Sequence, residues 1–306
     1  MFSVLSQRRQ QVLQFAGTLL AVALLFVLLR DGGWQEILSA VQKIEALDLF
    51  WVLILFLISR FATVWRWHVL LRSGGVDIHF WDSASLTFTG LFASNFLPTT
   101  IGGDVVRLAG ILQMGFDRAI CLASIAADRL VGMLGMLMAS PLGLAYAWPV
   151  LTGSSPGLSV VAFFERPIRL FKRVLKTFSI WLKKPGSLLL SLMFTWVHML
   201  CMFASIYLFV DDLGRHVSFW MIAGVWSLTY FITLIPISIN GYGLQELSFT
   251  FLFSNVAGVT PAVSLTISVL IRAYLMVSSL PGAIFLPSTL AAMAEKRLIL
   301  KNGDIK

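Results

Sequence analysis

Long apolar runs separated by short polar segments dominate the hydrophobic pattern of this chain. Runs long enough to cross a membrane lie at about 12–29, 49–65, 122–148, 186–209 and 262–287. A helix of about 20 apolar residues crosses a hydrocarbon core of ~30 Å, and a helix satisfies its own backbone hydrogen bonds in lipid. Each run therefore predicts a transmembrane helix. The predicted fold class is all-α, a polytopic integral membrane helix bundle.

Two further apolar segments, 82–114 and 218–256, are each interrupted near the middle by proline and glycine. The first interruption reads PTTIGGDVVR at 98–107, and the second reads PISINGYGLQE at 236–246. Proline ends a helix because its ring clashes with the preceding turn, and glycine lets the backbone reverse. Neither half of either segment is comfortably long enough to cross alone. The pattern predicts two re-entrant helical hairpins, each returning to the side from which it entered.

The charge distribution predicts how the chain is oriented. The stretch 165–184 holds seven Lys or Arg and one Glu, both chain ends are basic, and 30–48 is acidic on balance. Cytoplasmic loops carry an excess of Lys and Arg, so both termini are predicted to lie on the cytoplasmic side of the plasma membrane. Apolar residues of 165–184 recur every three or four positions. This spacing predicts a cytoplasmic amphipathic helix on the anionic inner surface, with an ordinary loop as the alternative.

The same charges predict that the two hairpins enter from opposite faces of the membrane. Similar segments with opposite entry are typical of inverted repeats, whose broken helices meet near the midplane and form the binding site. We predict one membrane domain over 1–306, with an N-terminal repeat at about 49–164, the amphipathic helix at 165–184 and a C-terminal repeat at about 186–290. Residues 119–164 begin and end on the cytoplasmic side, so an even number of crossings is expected there.

Ionisable residues inside the apolar segments are the candidates for function, because a membrane charge is costly and usually faces the bundle interior. After Gly103 a helix is predicted, with Asp104 in its first turn and Arg107 on the same face. Its first amides could bind a phosphate. Either the arginines bind a phosphate-bearing head group while the acids balance them, or a salt-bridge lattice holds the hairpins together. The candidate substrate-binding residues are Asn95, Pro98, Gly102, Gly103, Asp104, Arg107, Asp128, Arg129, Asn240, Gly241, Gly243, Glu246 and Arg272.

Other polar residues in the apolar segments have simpler interpretations. Arg60 lies near the cytoplasmic end of its span and is expected to extend its guanidinium to the surface. Arg66 is expected in the cytoplasmic loop that follows, and Trp67 is interpreted as one of several interfacial anchors. His198 lies within a span, where it either packs with a hydrogen-bonded partner or relays protons.

The composition excludes a soluble fold and gives no indication of an enzyme. The chain is 58% hydrophobic and 12% charged, whereas soluble domains are about 25% charged. The four histidines show no metal-ligating spacing, and no Walker motif is present. Cys121 and Cys201 lie in apolar runs, which indicates buried free thiols. We expect no catalytic activity, cofactor, metal or nucleic-acid partner.

Three ordered motifs resemble a known family, the flippase-like transmembrane region of the lysylphosphatidylglycerol synthases and their free-standing relatives. The motifs are NFLPTTIGGDVVR at 95–107, ADRLVGM at 127–133 and IPISINGYGLQE at 235–246, followed by Gly-Val at 258–259. The resemblance spans nearly the whole chain. Where the family usually carries Gly-Val-Arg-Glu, this chain has Gly-Leu-Gln-Glu at 243–246, which removes one cation.

The resemblance implies a flippase-like or scramblase-like translocase that moves a phospholipid, an aminoacylated phospholipid or another lipid-linked compound between leaflets. Its partners would be membrane lipids with an anionic or lipid-linked head group, and a lipid-biosynthesis enzyme. In bifunctional relatives a soluble aminoacyl-transferase domain follows. This sequence continues for only about twenty residues after its last span, so no synthase domain is expected. The alternatives are a small-solute or ion-coupled secondary transporter, or a non-transporting membrane partner of a lipid-modifying enzyme.

Overall fold

The protein is a bundle of helices in the computed structural model, which describes residues 33–97, 101–152, 181, 183–235 and 238–286. These residues contain no β-strand. The helices are α1 (Gly33–Lys43), α2 (Ala46–Gly74), α3 (Phe80–Ser94), α4 (Gly102–Gln113), α5 (Arg118–Thr152), α6 (Pro185–Asp212), α7 (Phe219–Thr233), α8 (Leu244–Ala257) and α9 (Pro261–Val277). The all-α prediction is confirmed for this part of the chain.

Four helical stretches are long and apolar enough to cross a membrane. They are Ala46–Gly74, Arg118–Val150, Pro185–Asp212 and Pro261–Leu286, and their most apolar windows have a mean hydropathy of 1.7 to 2.0. These stretches match four of the five predicted spans. The fifth, at about 12–29, lies outside the described residues.

α5 is continuous over its whole length, although it contains Pro141 and Pro149. The sequence predicts an even number of crossings in 119–164. Residues 153–164, which would have to hold a return crossing, lie outside the described part of the chain, as does most of the predicted amphipathic helix at 165–184. The described part of 119–164 therefore contains one helix of membrane-spanning length.

Both interrupted apolar segments form pairs of short helices. α3 and α4 have 15 and 12 residues, and α7 and α8 have 15 and 14. At 1.5 Å per residue these helices are ~18–23 Å long, shorter than a hydrocarbon core of ~30 Å. α3 packs against α4, and α7 packs against α8. The breaks follow α3 and α7, as the sequence predicts, while Pro98 and Pro236 lie outside the described residues.

The order of helices repeats along the chain, since a long helix, two short helices and a second long helix form each half. The halves interlock through their last long helices. α5 crosses α7 where Gly143 and Gly224 are in backbone contact, and the helical continuation of α9 meets α3 where Gly282 touches the backbone of Phe88. A side chain at either crossing glycine would collide with the backbone opposite. Glycine therefore lets each half pack against the short helices of the other.

The first long helices of the two halves, α2 and α6, pack extensively against each other. The largest apolar cluster lies mainly in the second half and includes Phe203, Phe249 and Phe253. A smaller apolar cluster surrounds Trp67 and joins α2, α3, α4 and α5. Trp67 is fully buried, so its interpretation as an interfacial anchor was wrong. Its ring supports the polar site described next.

Candidate functional site

Five charged side chains form a group where α2, α4 and α5 meet, in which Arg107 and Asp128 are buried and the Arg129 side chain is 32% exposed. We call Arg66, Asp104, Arg107, Asp128 and Arg129 the arginine–aspartate cluster. The Asp128 carboxylate accepts hydrogen bonds from Arg66 Nε at 2.6 Å and from Arg107 Nη1 at 3.1 Å. Asp104 accepts from Arg107 Nη1 at 3.2 Å and from Arg129 Nε. The two aspartates therefore link three arginines in one network.

The packing of α3 on α4 positions Arg107. Gly90 and Gly103 bring the two backbones into direct contact, and a Cβ on Gly90 would lie 2.6 Å from Arg107 Cγ. On its other side the Arg107 guanidinium lies 4.1 Å from the centroid of the Trp67 ring, which stabilises a cation by its π-face. Trp67 is itself oriented by a 3.2 Å hydrogen bond from Nε1 to Ser124 Oγ. Arg107 is thus held between a glycine and an aromatic ring.

A cavity of about 220 Å³ lies beside the cluster. Besides the cluster itself, its polar lining consists of Thr63, Thr195, His198 and Tyr230. Arg107 is 6% exposed, and its Nε and Nη2 groups are buried without a hydrogen-bond partner in the described structure. Buried donors are nearly always paired. Two N–H groups of Arg107 therefore have no acceptor among the described residues.

A second ionic group lies at the break between α7 and α8. The Glu246 carboxylate accepts a 2.8 Å hydrogen bond from the Gly243 amide and a 2.7 Å bond from Arg272 Nε. Arg272 Nη2 also donates to the Gly241 carbonyl at 3.3 Å, and its guanidinium lies 4.8 Å from the centroid of the Tyr242 ring. This glutamate–arginine pair, Glu246 and Arg272, therefore fastens the reversing chain to α8 and α9.

The backbone of this break requires residues that tolerate a left-handed conformation. Asn240, Gly241 and Gly243 have φ angles of 49°, 73° and 74°. Such angles strain most residues with a Cβ, whereas glycine and asparagine adopt them readily. These three predicted site residues therefore shape the chain reversal.

Residues at the two breaks contact one another. The Tyr242 hydroxyl donates to the carbonyl oxygen of Asn95 at 3.0 Å, and Asn95 Nδ2 donates to Ser279 Oγ at 2.9 Å. The ionic side chains, however, form two groups, and no ion pair between described residues joins the cluster to the pair. The sequence predicts one candidate set of six charged residues, whereas the structure places four of them in the cluster and two in the glutamate–arginine pair.

The structure places every predicted site residue except Pro98, which lies outside the described residues. Asp104, Arg107, Asp128 and Arg129 belong to the cluster, and Glu246 and Arg272 form the pair. Gly102 and Gly103 begin α4, two residues earlier than predicted, with Asp104 in the first turn as predicted. Among the described residues, no group of three or more His, Cys, Asp or Glu side chains could hold a metal ion.

Sequence reasoning missed Arg66 and misjudged Arg60. Arg66 belongs to α2 and not to a loop, because the helix continues to Gly74. Arg60 is 7% exposed and donates to Ser278 Oγ at 3.0 Å, so it does not extend to the surface. Polar residues recur along α2 at 59, 63 and 66, a helical spacing that marks one face. That stripe contains Arg66 and is the signal that could have identified it.

His198 and Tyr230 bring other parts of the chain to the cavity. His198 Nδ1 lies 2.6 Å from Ser59 Oγ, which agrees with the hydrogen-bonded packing role that the sequence allows. Tyr230 comes from α7 in the second half of the chain. No local pattern distinguishes it from the neighbouring aromatic residues, so only the tertiary structure brings it to the site.

Comparison with known proteins gives one finding. The profile of the family described as lysylphosphatidylglycerol synthase TM region matches residues 14–282. No curated protein matches the chain. The family match, together with four helices of membrane-spanning length, supports a multi-pass membrane protein connected with lipid biology. The chain belongs to the lysylphosphatidylglycerol synthase transmembrane-region family.

Proposed function

We propose that this protein moves a lipid between the two leaflets of the membrane, with the head group passing through the cavity beside the arginine–aspartate cluster. The observation that carries the proposal is the buried Arg107 side chain, which lines the cavity and has two N–H groups without a described hydrogen-bond partner. Guanidinium groups bind phosphate through charge-assisted hydrogen bonds. A phospholipid head group supplies that phosphate, and the family match supports a role in lipid biology.

The energetic problem of lipid movement is the head group, because the acyl chains stay in apolar surroundings. Charged groups in the bilayer core are costly, and buried polar groups need hydrogen-bond partners. A polar cavity inside the helix bundle lowers this cost. The short helices α3 and α4 support the proposal, since a re-entrant pair would place Arg107 and the first turn of α4 within the membrane rather than at its surface.

The aspartates have a specific task in this proposal. Asp104 and Asp128 hold the Arg107 Nη1 group when no cargo is present. A phosphate would take the Nε and Nη2 groups and compete for the shared arginines. The arginines of the cluster thus keep an anionic partner while the lipid enters and leaves, because each guanidinium group exchanges a carboxylate for the phosphate and back.

A liposome assay tests the proposal. A fluorescent phospholipid in the inner leaflet is protected from a membrane-impermeant reductant until it is moved outward. Arg107→Gln should slow this movement about tenfold or more, since charged hydrogen bonds to the phosphate are lost. Arg72→Gln is the matched control, because Arg72 is half-exposed and, among the described residues, forms an ion pair only with the exposed Asp77.

Equal rates for Arg107→Gln and the parent protein would reject the proposal. A parent protein that moves no lipid, yet co-purifies with a lipid-modifying enzyme, would instead favour a non-transporting partner. Circular dichroism and gel filtration of each variant would show that folded protein is compared.

A further inference from the structure

A row of small polar side chains lies along the contact between α8 and α9. Glu246 near the start of α8 bonds to Arg272 near the end of α9, and the two helices pack against each other. The helices are therefore antiparallel, and this ion pair sets their register. Residues four positions apart lie on one face of a helix. One turn away from the ion pair, Thr250 of α8 is thus level with Ser268 of α9.

The same register places Ser254 level with Ser264 one turn further along. We call these four residues the hydroxyl seam: Thr250, Ser254, Ser264 and Ser268. Glu246 and Ser254 are about 12 Å apart along α8. Glu246 is 5% exposed, whereas Ser254 is partly exposed and lies beside the exposed Asn255 near the turn at Gly258. The seam therefore leads from the turn between the two helices to the buried ion pair.

Three hydroxyl groups of the seam are buried without a described hydrogen-bond partner. Thr250 is 4% exposed, and Ser264 and Ser268 are 0% exposed. None of their three hydroxyl oxygens hydrogen-bonds to a described group. The neighbouring Thr266 differs, since its hydroxyl donates to the Ala262 carbonyl oxygen at 2.8 Å. Buried polar groups nearly always have a partner, either in the protein or in an ordered water, so the seam has the polar groups of a binding site.

The surroundings of the seam restrict what it can bind. A metal or ammonium ion would meet Arg272, and an anion would meet Glu246, and like charges repel strongly at low dielectric. Phe253 and Ile271 follow Thr250 and Ser268 by three positions, which places them beside the seam, and both are fully buried and apolar. A small neutral molecule that both donates and accepts hydrogen bonds fits these conditions. Water is that molecule.

Bridging waters would satisfy all three hydroxyl groups. Thr250 and Ser268 do not bond to each other, and a water between them would pair with both. Ser254 Oγ donates to the Thr250 carbonyl oxygen at 2.6 Å, and its oxygen can still accept from a water shared with Ser264. Successive levels of the seam are about 6 Å apart, close to two hydrogen bonds of ~2.8 Å. One further water between levels would therefore complete a continuous file.

We propose that the hydroxyl seam holds a file of water molecules that extends from the turn between α8 and α9 to the Glu246–Arg272 ion pair. The innermost water donates to the Glu246 carboxylate, whose oxygens each accept more than one hydrogen bond. Water that penetrates to a buried ion pair lowers the desolvation cost of its charges. The file thus hydrates the second ionic group, which the cavity beside the cluster does not reach. This binding of water does not depend on lipid movement.

Substitutions that remove a hydroxyl group but keep the shape of the side chain test for bound water. Thr250→Val and Ser268→Ala should each raise the equilibrium constant for unfolding about two- to tenfold, because a buried water loses a partner. In a dry seam the same changes would remove an unpaired hydroxyl group and lower this constant. Denaturant unfolding of the protein in detergent measures the change. An unchanged or lowered constant would overturn the proposal.

The matched controls are hydroxyl groups that are bonded within their own helix. Thr266→Val in α9 and Ser205→Ala in α6 remove buried hydroxyls that donate at 2.8 Å to the carbonyl oxygens of Ala262 and Cys201. Each carbonyl keeps its helical hydrogen bond, so the unfolding constant should change less than in the seam variants. Equal changes in seam and control variants would assign the effect to the type of substitution and would also overturn the proposal.

Hydroxyl-radical labelling of the parent protein by X-ray radiolysis tests the water file without relying on a variant. The radicals form from water and oxidise the side chains beside it. Phe253 and Ile271 should be oxidised several times faster than Phe203 and Ile206 of α6, although all four side chains are at most 1% exposed. The difference should disappear when both seam substitutions are combined. Equally slow oxidation of the four residues in the parent protein would show that the seam is dry.

Discussion

The two ionic groups of this protein hold similar places in its two halves but differ in how fully they are paired. In the first half Arg107 of α4 faces Asp128 of α5, and in the second half Glu246 of α8 faces Arg272 of α9. Each group joins the second short helix to the long helix that follows, with opposite polarity. The cluster borders a cavity and leaves two N–H groups of Arg107 unpaired. In the pair, both Glu246 oxygens accept a hydrogen bond.

This difference suggests that, of two similarly placed ionic groups, the cluster forms a binding site and the glutamate–arginine pair is a structural ion pair. Glu246 caps α8 through the Gly243 amide, and Arg272 covers the Tyr242 ring, so the pair has a local task at its own break. Arg107 has a ring beneath it and a cavity beside it. The candidate list from the sequence includes both groups, and the following predictions test whether they have different roles.

The largest expected effect is the loss of stability in Asp128→Ala. Asp128 is 2% exposed and neutralises Arg66 and Arg107, and removing one partner of a buried ion pair costs about 3–5 kcal/mol. Denaturant unfolding of the detergent-solubilised protein would measure this loss. Asp77→Ala removes an exposed ion pair with Arg72 and should cost less than about 1 kcal/mol. Similar values for the two variants would show that the cluster is not a buried network.

Glu246→Gln should separate stability from lipid movement. The amide oxygen can still accept from Gly243, but the charged bond to Arg272 is lost, so we expect a stability loss of about 1.5–3 kcal/mol. Folded molecules should still move lipid in the liposome assay, whereas folded Arg107→Gln molecules should not. A stable Glu246→Gln variant without lipid movement would place Glu246 in the binding site, as the sequence hypothesis has it.

Gly90→Ala should disturb the cluster through packing. The added Cβ would lie 2.6 Å from Arg107 Cγ and 2.7 Å from the Gly103 carbonyl oxygen, and such overpacking typically costs about 1–3 kcal/mol. Because Arg107 must shift, lipid movement should fall together with stability. Gly186→Ala is the matched control, since no atom of the described residues lies within 4 Å of a Cβ at that position. Wild-type behaviour of Gly90→Ala would contradict the proposed positioning of Arg107.

The smallest expected effect belongs to the contact between the two breaks. Tyr242→Phe removes one hydrogen bond to the Asn95 carbonyl oxygen, which corresponds to about 0.5–1.5 kcal/mol. Thermal unfolding beside the exposed-site variant Tyr207→Phe would measure the difference. Unchanged stability would mean that the breaks are held together by helix packing and not by this bond.

Much of the secondary structure could be predicted from the sequence, because the relevant signals are local. Long apolar runs predict α2, α5, α6 and α9, and the interruptions predict the ends of α3 and α7. The i, i+3 spacing places Asp104 and Arg107 on one face, and the structure shows them in contact. The predicted end of α2 was wrong because Arg66 was placed in the loop after the span, whereas the buried Asp128 carboxylate stabilises it inside the helix. The repeat boundaries and the cytoplasmic position of the termini stay predictions.

By itself the sequence determined the helices, their breaks and the identity of most charged residues at the site. Only the tertiary structure decided which charges meet: it brought Arg66 of α2 to Asp128 of α5, carried Tyr230 from the second half into the cavity, and separated Glu246 and Arg272 from the cluster. The physical reason is that apolar periodicity and helix breakers act over a few residues of chain. The partner of a buried charge is instead set by close backbone crossings, such as Gly143 on Gly224, between segments far apart in sequence.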